Sequence, residues 1–159
     1  MPSEATNSDE RVTTVAGVVS LIKEDHEKLE KVFVQLEDEK GDIHDLLQQV
    51  ADMLIPHSKA EERVVYPAIK AAVPDDESDV DDGIAEHHHV EEMLTKLLAT
   101  DPDDPGADGL IAAMIGEVRH HIEEEEDEIL PDFSKTLSSQ ELSELGEQFL
   151  AAKEAAKAE

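Results

Sequence analysis

The segments HSKAEERVVYP (His57 to Pro67) and HIEEEEDEILP (His121 to Pro131) share one pattern: His, three residues, Glu-Glu, four residues, Pro. Each lies in a stretch whose apolar residues recur at helical spacing, so the fold must accommodate acids and imidazoles set into helix faces. A further histidine precedes each segment, His26 by 31 residues and His87 by 34. The chain therefore reads as a duplicated helical hairpin, and an approximate twofold relation would bring four histidines to one depth.

Helices are expected at about 14–39, 43–72, 79–100 and 109–130. They are separated by turn chemistry at Lys40 to Asp42 (KGD), Val73 to Asp79 (VPDDESD) and Asp101 to Gly109 (DPDDPGADG). Connections this short imply antiparallel neighbours. The expected fold is all-α: an up-down-up-down antiparallel four-helix bundle over residues 14–135, with a flexible tail at 1–13 and a C-terminal docking helix and tail at 136–159. Ser138 and Glu141 fit a capping box for that last helix, and Leu142, Leu145, Phe149 and Leu150 form its apolar face. Aromatic residues make up only 3% of the chain and Trp is absent, so the core must be aliphatic, which suits packed helices better than sheets.

An α-helix turns about 100° per residue, so spacing alone shows which polar residues share the apolar face. On the second helix Leu47, Val50, Leu54, Val65 and Ala68 form a stripe that contains His57 and Glu61, with His44 and Glu62 off to the side. Leu110, Met114, Val118 and Ile129 do the same for His121 and Glu125 on the fourth, where Glu123 and Glu126 point elsewhere. In the run His87, His88, His89 only His87 coincides with the stripe of Val80, Ile84, Val90 and Leu94. His26 sits on the near edge of the face formed by Ile22, Leu29, Val32, Phe33 and Leu36.

Any one of these histidines alone reads as an ordinary hydrogen-bonded core or helix-edge residue. The set does not, because buried carboxylates without compensation are prohibitively costly and each buried imidazole needs partners on both nitrogens. His at i with Glu at i+4 puts two metal ligands on one helix face. Two such pairs plus two single histidines exceed a four-coordinate structural zinc site and suit two cations bridged by carboxylates. A donor set of nitrogen and oxygen without thiolate fits iron best, with manganese or zinc as substitutes.

The stretches EDHEKLEKVF, HSKAEERVVYP, AEHHHVEEML and HIEEEEDEILP, in this order and spacing between Leu21 and Phe133, resemble the hemerythrin-like family and its HHE cation-binding domain. The LSSQELSELGEQF segment is similar to the C-terminal extension of many bacterial members. That resemblance implies two non-haem iron ions (Fe2+/Fe3+) with a solvent-derived oxo or hydroxo bridge, held by His26, His57, Glu61, His87, His121 and Glu125. Oxygen-carrying members have a second histidine where this chain has Glu91, which is either an extra carboxylate ligand or a side chain curled to solvent. Tyr66, the only tyrosine, is either a packing residue or reaches the metal or its surroundings. Pro56, directly before His57, is expected to kink the second helix.

With 41 acidic against 13 basic residues the net charge is -28, which repels nucleic acid and anionic membrane surfaces. The absence of cysteine excludes disulfides and zinc-thiolate sites. Val12 to Ile22 could pass for a signal-peptide core, but acids precede it where positive charge is wanted, so a cytoplasmic protein without a membrane span is expected. The expected ligand is a small molecule: peroxide, O2 or NO. Peroxide handling of a catalase-like kind is favoured, and the alternative is a binding module that senses or stores O2, NO or iron without turnover. Nothing in the sequence points to a protein partner.

Overall fold

In a computed structural model, which describes residues 17–159, the chain is built of helices, and the described residues contain no strand. The expected tail at 1–13 and the first residues of the first helix, 14–16, lie outside the described residues. The helices are α1 (Val18–Glu37), α2 (Ile43–Ala60), α3 (Tyr66–Ala72), α4 (Glu77–Leu98), α5 (Ala107–Glu124), α6 (Leu130–Thr136) and α7 (Ser139–Lys157). None of them is long and apolar enough to cross a membrane.

The two long helices expected at 43–72 and 109–130 are each interrupted by one π turn. Glu61–Val65 joins α2 to α3, and Glu125–Ile129 joins α5 to α6. In both, the amide that closes the turn, that of Tyr66 or Leu130, donates five residues back, to the carbonyl of Glu61 or Glu125. The shared proline of the repeat accounts for this. Pro67 and Pro131 offer no N–H to the carbonyl four residues earlier and press their rings against it, so the preceding turn widens. Pro56, expected to kink the second helix, does not interrupt it: α2 continues through it from Ile43 to Ala60.

Two apolar clusters make the core. One unites Leu29, Phe33, Leu47, Val50, Leu94 and Met114 with their neighbours, and the other unites Ile22, Val65, Tyr66, Ile69, Leu130, Phe133 and Phe149. Along α1 the chain runs from the second cluster to the first; α2 returns, α4 repeats the first direction and α5 the second. On every one of these passes a buried histidine lies between the two clusters in sequence, giving one polar layer within an aliphatic core.

The last helix packs on α1, α2 and the first π turn. Its start carries the expected capping box between Ser138 and Glu141. Phe149 is fully buried and Leu142 and Leu145 are partly so, but Leu150, expected on the same face, is 43% exposed. At 100° per residue it lies a full step round from Phe149, past the edge of the contact.

Candidate metal centre

Each repeat contributes its buried pair from the last turns of a long helix. His57 and Glu61 sit where α2 passes into its π turn, and His121 and Glu125 occupy the same places at the end of α5. His26 comes from mid α1 and His87 from mid α4. All six side chains are buried, Glu61 and Glu125 completely. His26, placed at a stripe edge by periodicity, is as enclosed as the others.

The ligand-type atoms of His26, His57, Glu61 and Glu125 all lie within 4.8 Å of one another, as do those of Glu61, His87 and His121. Glu61 Oε1 is 3.2 Å from both His57 Nε2 and His87 Nε2, so this carboxylate belongs to both groups. Glu125 spans them with its two oxygens: Oε1 is 3.5 Å from His26 Nε2 and Oε2 is 3.2 Å from His121 Nε2. Glu61 Oε2, Glu125 Oε1 and His57 Nε2 are buried without a hydrogen-bond partner among the described residues. Buried nitrogen and oxygen atoms left without partners, facing one another in an enclosed core, are a donor set for cations.

Behind the layer stands a second set of carboxylates. Nδ1 of His26 donates to Glu126 at 2.6 Å, that of His57 to Asp25 at 2.7 Å, that of His87 to Glu62 at 2.9 Å and that of His121 to Glu86 at 2.7 Å. A carboxylate can only accept, so each ring keeps its proton on Nδ1 and turns Nε2 into the centre. The twofold pattern is complete: the second Glu of each Glu-Glu pair reaches the single histidine of the other repeat, and the acid before each single histidine reaches the histidine of the His/Glu pair in its own repeat. Glu62 and Glu126, read from helical angle as pointing elsewhere, are therefore outward of the apolar stripe yet part of the site. Acids at matched places in the two repeats, Asp25 with Glu86 and Glu62 with Glu126, were the signal for them.

Charge complementarity among these groups is strong. Burial works against a charged His57, but Glu61 and Asp25 on either side outweigh it and raise its pKa to about 10. His87 and His121 are raised for the same reasons, against the same burial. Burial opposes ionisation of Glu61, and the neighbouring His57 prevails and holds it well below the usual carboxylate range. Tyr66 goes the other way. Enclosure, with Glu125 and Glu61 close by, pushes its phenol well above the ordinary value.

That phenol is in the site. Tyr66 Oη donates to Glu125 Oε2 at 2.8 Å and lies 3.3 Å from Nε2 of both His87 and His121. In an unbroken α-helix Tyr66 would lie about 140° from Glu61; the extra residue of the π turn carries it round to the inner face. Gly83, one turn before His87, makes room, since a Cβ there would stand 3.2 Å from His121 Cε1 and 3.3 Å from Tyr66 Oη. Glu91, for which the sequence leaves two courses open, is exposed. It borders a cavity of about 10 Å³ beside His87, lined also by Ser58 and Leu54.

A family model for the Hemerythrin HHE cation binding domain matches residues 17–133. A protein named DNA nickase from Nostoc sp. is 25% identical over 139 residues, 86% of this chain but 39% of that protein, so the chain spans well under half of this relative. Among solved structures, a Hemerythrin HHE cation binding domain-containing protein from Mycobacterium kansasii superposes with a TM-score of 0.75 over 90% of this chain and 88% of that one, at 24% identity. That likeness establishes a common fold.

Proposed function

The chain belongs to the hemerythrin HHE cation-binding domain family, and from that premise we propose that it is a non-haem di-iron protein that handles peroxide in a catalase-like way. His26, His57, Glu61, His87, His121 and Glu125 are the six ligands in this reading, with Tyr66 beside them. Their frame is an up-down-up-down antiparallel four-helix bundle at 14–135 with an added C-terminal helix at 136–159. The observation that carries it is the set of orphaned buried atoms, Glu61 Oε2, Glu125 Oε1 and His57 Nε2, directed into a space shared by two groups of nitrogen and oxygen donors. Iron fits that donor set best, and manganese or zinc are substitutes.

Bound iron would supply the electron exchange with peroxide, O2 or NO that no side chain here can provide. The chain's own residues set its conditions. Glu61 and Glu125 bring two carboxyl groups into a layer closed above and below by aliphatic clusters, and the four outer carboxylates fix every Nε2 inward. Tyr66 holds a proton at Oη, hydrogen-bonded to Glu125, within reach of a small ligand in the His87–His121 half. With Glu91 at the surface, that half has no further imidazole of the kind oxygen carriers use, which favours reaction over reversible carriage. The catalase-like outcome, two H2O2 giving two H2O and O2, consumes no other reactant.

We propose a cytoplasmic role in oxidative stress, with no membrane or nucleic-acid partner. The nickase name belongs to a relative mostly outside the match, and a net charge of -28 repels DNA phosphates. Untagged protein should contain about two irons per chain. The same material should evolve oxygen from added peroxide. Iron well below that ratio, with fold and stability unchanged by chelators, would sink the metal assignment. A stable, reversible optical change with O2 and no peroxide turnover would instead favour sensing or storage of O2, NO or iron.

A further inference from the structure

On the outer face of α5, His120 and Glu124 repeat the spacing of His121 and Glu125, shifted by one residue and hence turned by about 100° towards solvent. His120 Nε2 and Glu124 Oε1 are 2.6 Å apart, and their side chains are 63% and 38% exposed. Across the groove from α4 comes Glu86. Ligand-type atoms of Glu86, His120 and Glu124 all lie within 4.8 Å of one another. We propose that these three residues form a separate, solvent-accessible site for a divalent transition-metal cation, with Glu86 shared between it and His121 of the buried layer.

One nitrogen and two carboxylates from two rigid helices supply three donors, and water completes the coordination. Two other exposed histidines show what an ordinary surface ion pair looks like in this protein. His89 lies 2.7 Å from Glu117, and His88 lies 3.5 Å from Glu62, but neither pair belongs to a group of three converging donors among the described residues. The third donor is what distinguishes His120. Because Glu86 already accepts from His121 Nδ1 at 2.7 Å, a cation held at His120 is one carboxylate removed from the buried centre. Glu86 is therefore unsuitable for a clean test, since changing it would disturb both places.

The experiment uses untagged, chelator-treated full chain, equilibrium dialysis against graded Zn2+, and metal analysis of the protein. Wild type is expected to bind one Zn2+ per chain more than either His120→Ala or Glu124→Gln, the difference being the weakest-held ion, while His89→Ala matches wild type. Equal uptake by wild type and both variants overturns the site. So does a loss in His89→Ala as large as that in His120→Ala, which would mean indiscriminate surface binding. The inference stands apart from the di-iron reading: the number of tightly held ions tests that reading, and the difference between wild type and His120→Ala tests this one. All the altered side chains lie at the surface, and circular dichroism of each variant verifies the fold.

Discussion

The two halves of the buried layer are built on one backbone plan and covered differently. In the half of His26 and His57, Ile22 stands one turn before the first histidine and Leu130 follows the π turn opposite. The last helix closes this side. Phe149 meets the His57 ring edge-on at 5.5 Å, and Lys153 holds Asp25 with contacts of 2.9 and 3.0 Å. In the half of His87 and His121 those places are taken by Gly83 and Tyr66, whose ring stacks on His87 at 5.5 Å. The repeat thus accounts for where the donors stand, while Ile22, Leu130 and Phe149 seal one half with hydrocarbon and Gly83 and Tyr66 give the other a proton donor.

The seal is the easiest part to break. Phe149→Ala removes a fully buried ring and should cost about 3–5 kcal/mol in urea unfolding. If two irons are bound as proposed, it should also admit water to the His57 half, so that one of the two exchanges faster with a chelator. Equal exchange of both would mean that α7 covers nothing specific.

A pH series tests the charges within the sealed half. His57 has its pKa raised to about 10, so in chelator-treated protein its contribution is complete below its ordinary value near 6.5 and is lost as pH rises through about 10. Glu61 is lowered, so its contribution is present above its ordinary value near 4.5 and is lost on acidification below it. Melting temperature should therefore peak between about pH 4.5 and 6.5 and fall progressively as pH rises towards about 10. His57→Gln should flatten that alkaline slope.

Gly83→Ile would give the second half the residue of the first. Its Cβ alone meets His121 and Tyr66 at 3.2 and 3.3 Å, and overpacking of this kind typically costs about 1–3 kcal/mol. If two ions are bound as proposed, metal content should fall towards one per chain, because His121 and Tyr66 are displaced while His26 and His57 are not. Retention of both ions would show that the glycine is tolerated rather than required.

Much of this was legible before any coordinates. The six converging side chains follow from apolar periodicity, because four aliphatic stripes had to share a core and the His and Glu positions lay within them. Tyr66 was not readable in the same way. Its place depends on a π turn, and the angular rule that picked out Glu61 puts Tyr66 on the wrong side of an ideal helix. Glu62 and Glu126 lie off the stripe, where a solvated acid is the ordinary expectation, and their matched places in the two repeats are the sequence sign of the role that the partner ring across the interface gives them. Gly83 could not be told from a tolerated helical glycine, since what it makes room for comes from two other helices.

Lys153 marks a smaller difference between the halves. Asp25 has this cation beside it, and the corresponding acid, Glu86, has no Lys or Arg ion pair among the described residues. Burial tends to raise Asp25, but His57 and Lys153 together lower it. Lys153→Met should cost about 1–2 kcal/mol through the lost charged hydrogen bonds. On the di-iron reading it should also make Asp25 a stronger acceptor from His57, shifting the optical bands of one iron and leaving the other unmoved. Identical shifts at both would argue that the halves are electronically equivalent.

The finest distinction is a single hydroxyl. Tyr66→Phe keeps the ring that stacks on His87 and removes only Oη, so stability should change by no more than about 1–2 kcal/mol, the net worth of one buried hydrogen bond. Glu125 Oε2 loses its shortest contact, the 2.8 Å hydrogen bond, and the His87–His121 half loses its proton donor. If that proton takes part in peroxide breakdown, oxygen evolution should drop by about 10²-fold or more with iron content intact. A solvent deuterium effect present in wild type should vanish with it. Unchanged turnover would make Tyr66 a packing residue and leave the two halves alike in chemistry, different only in what covers them.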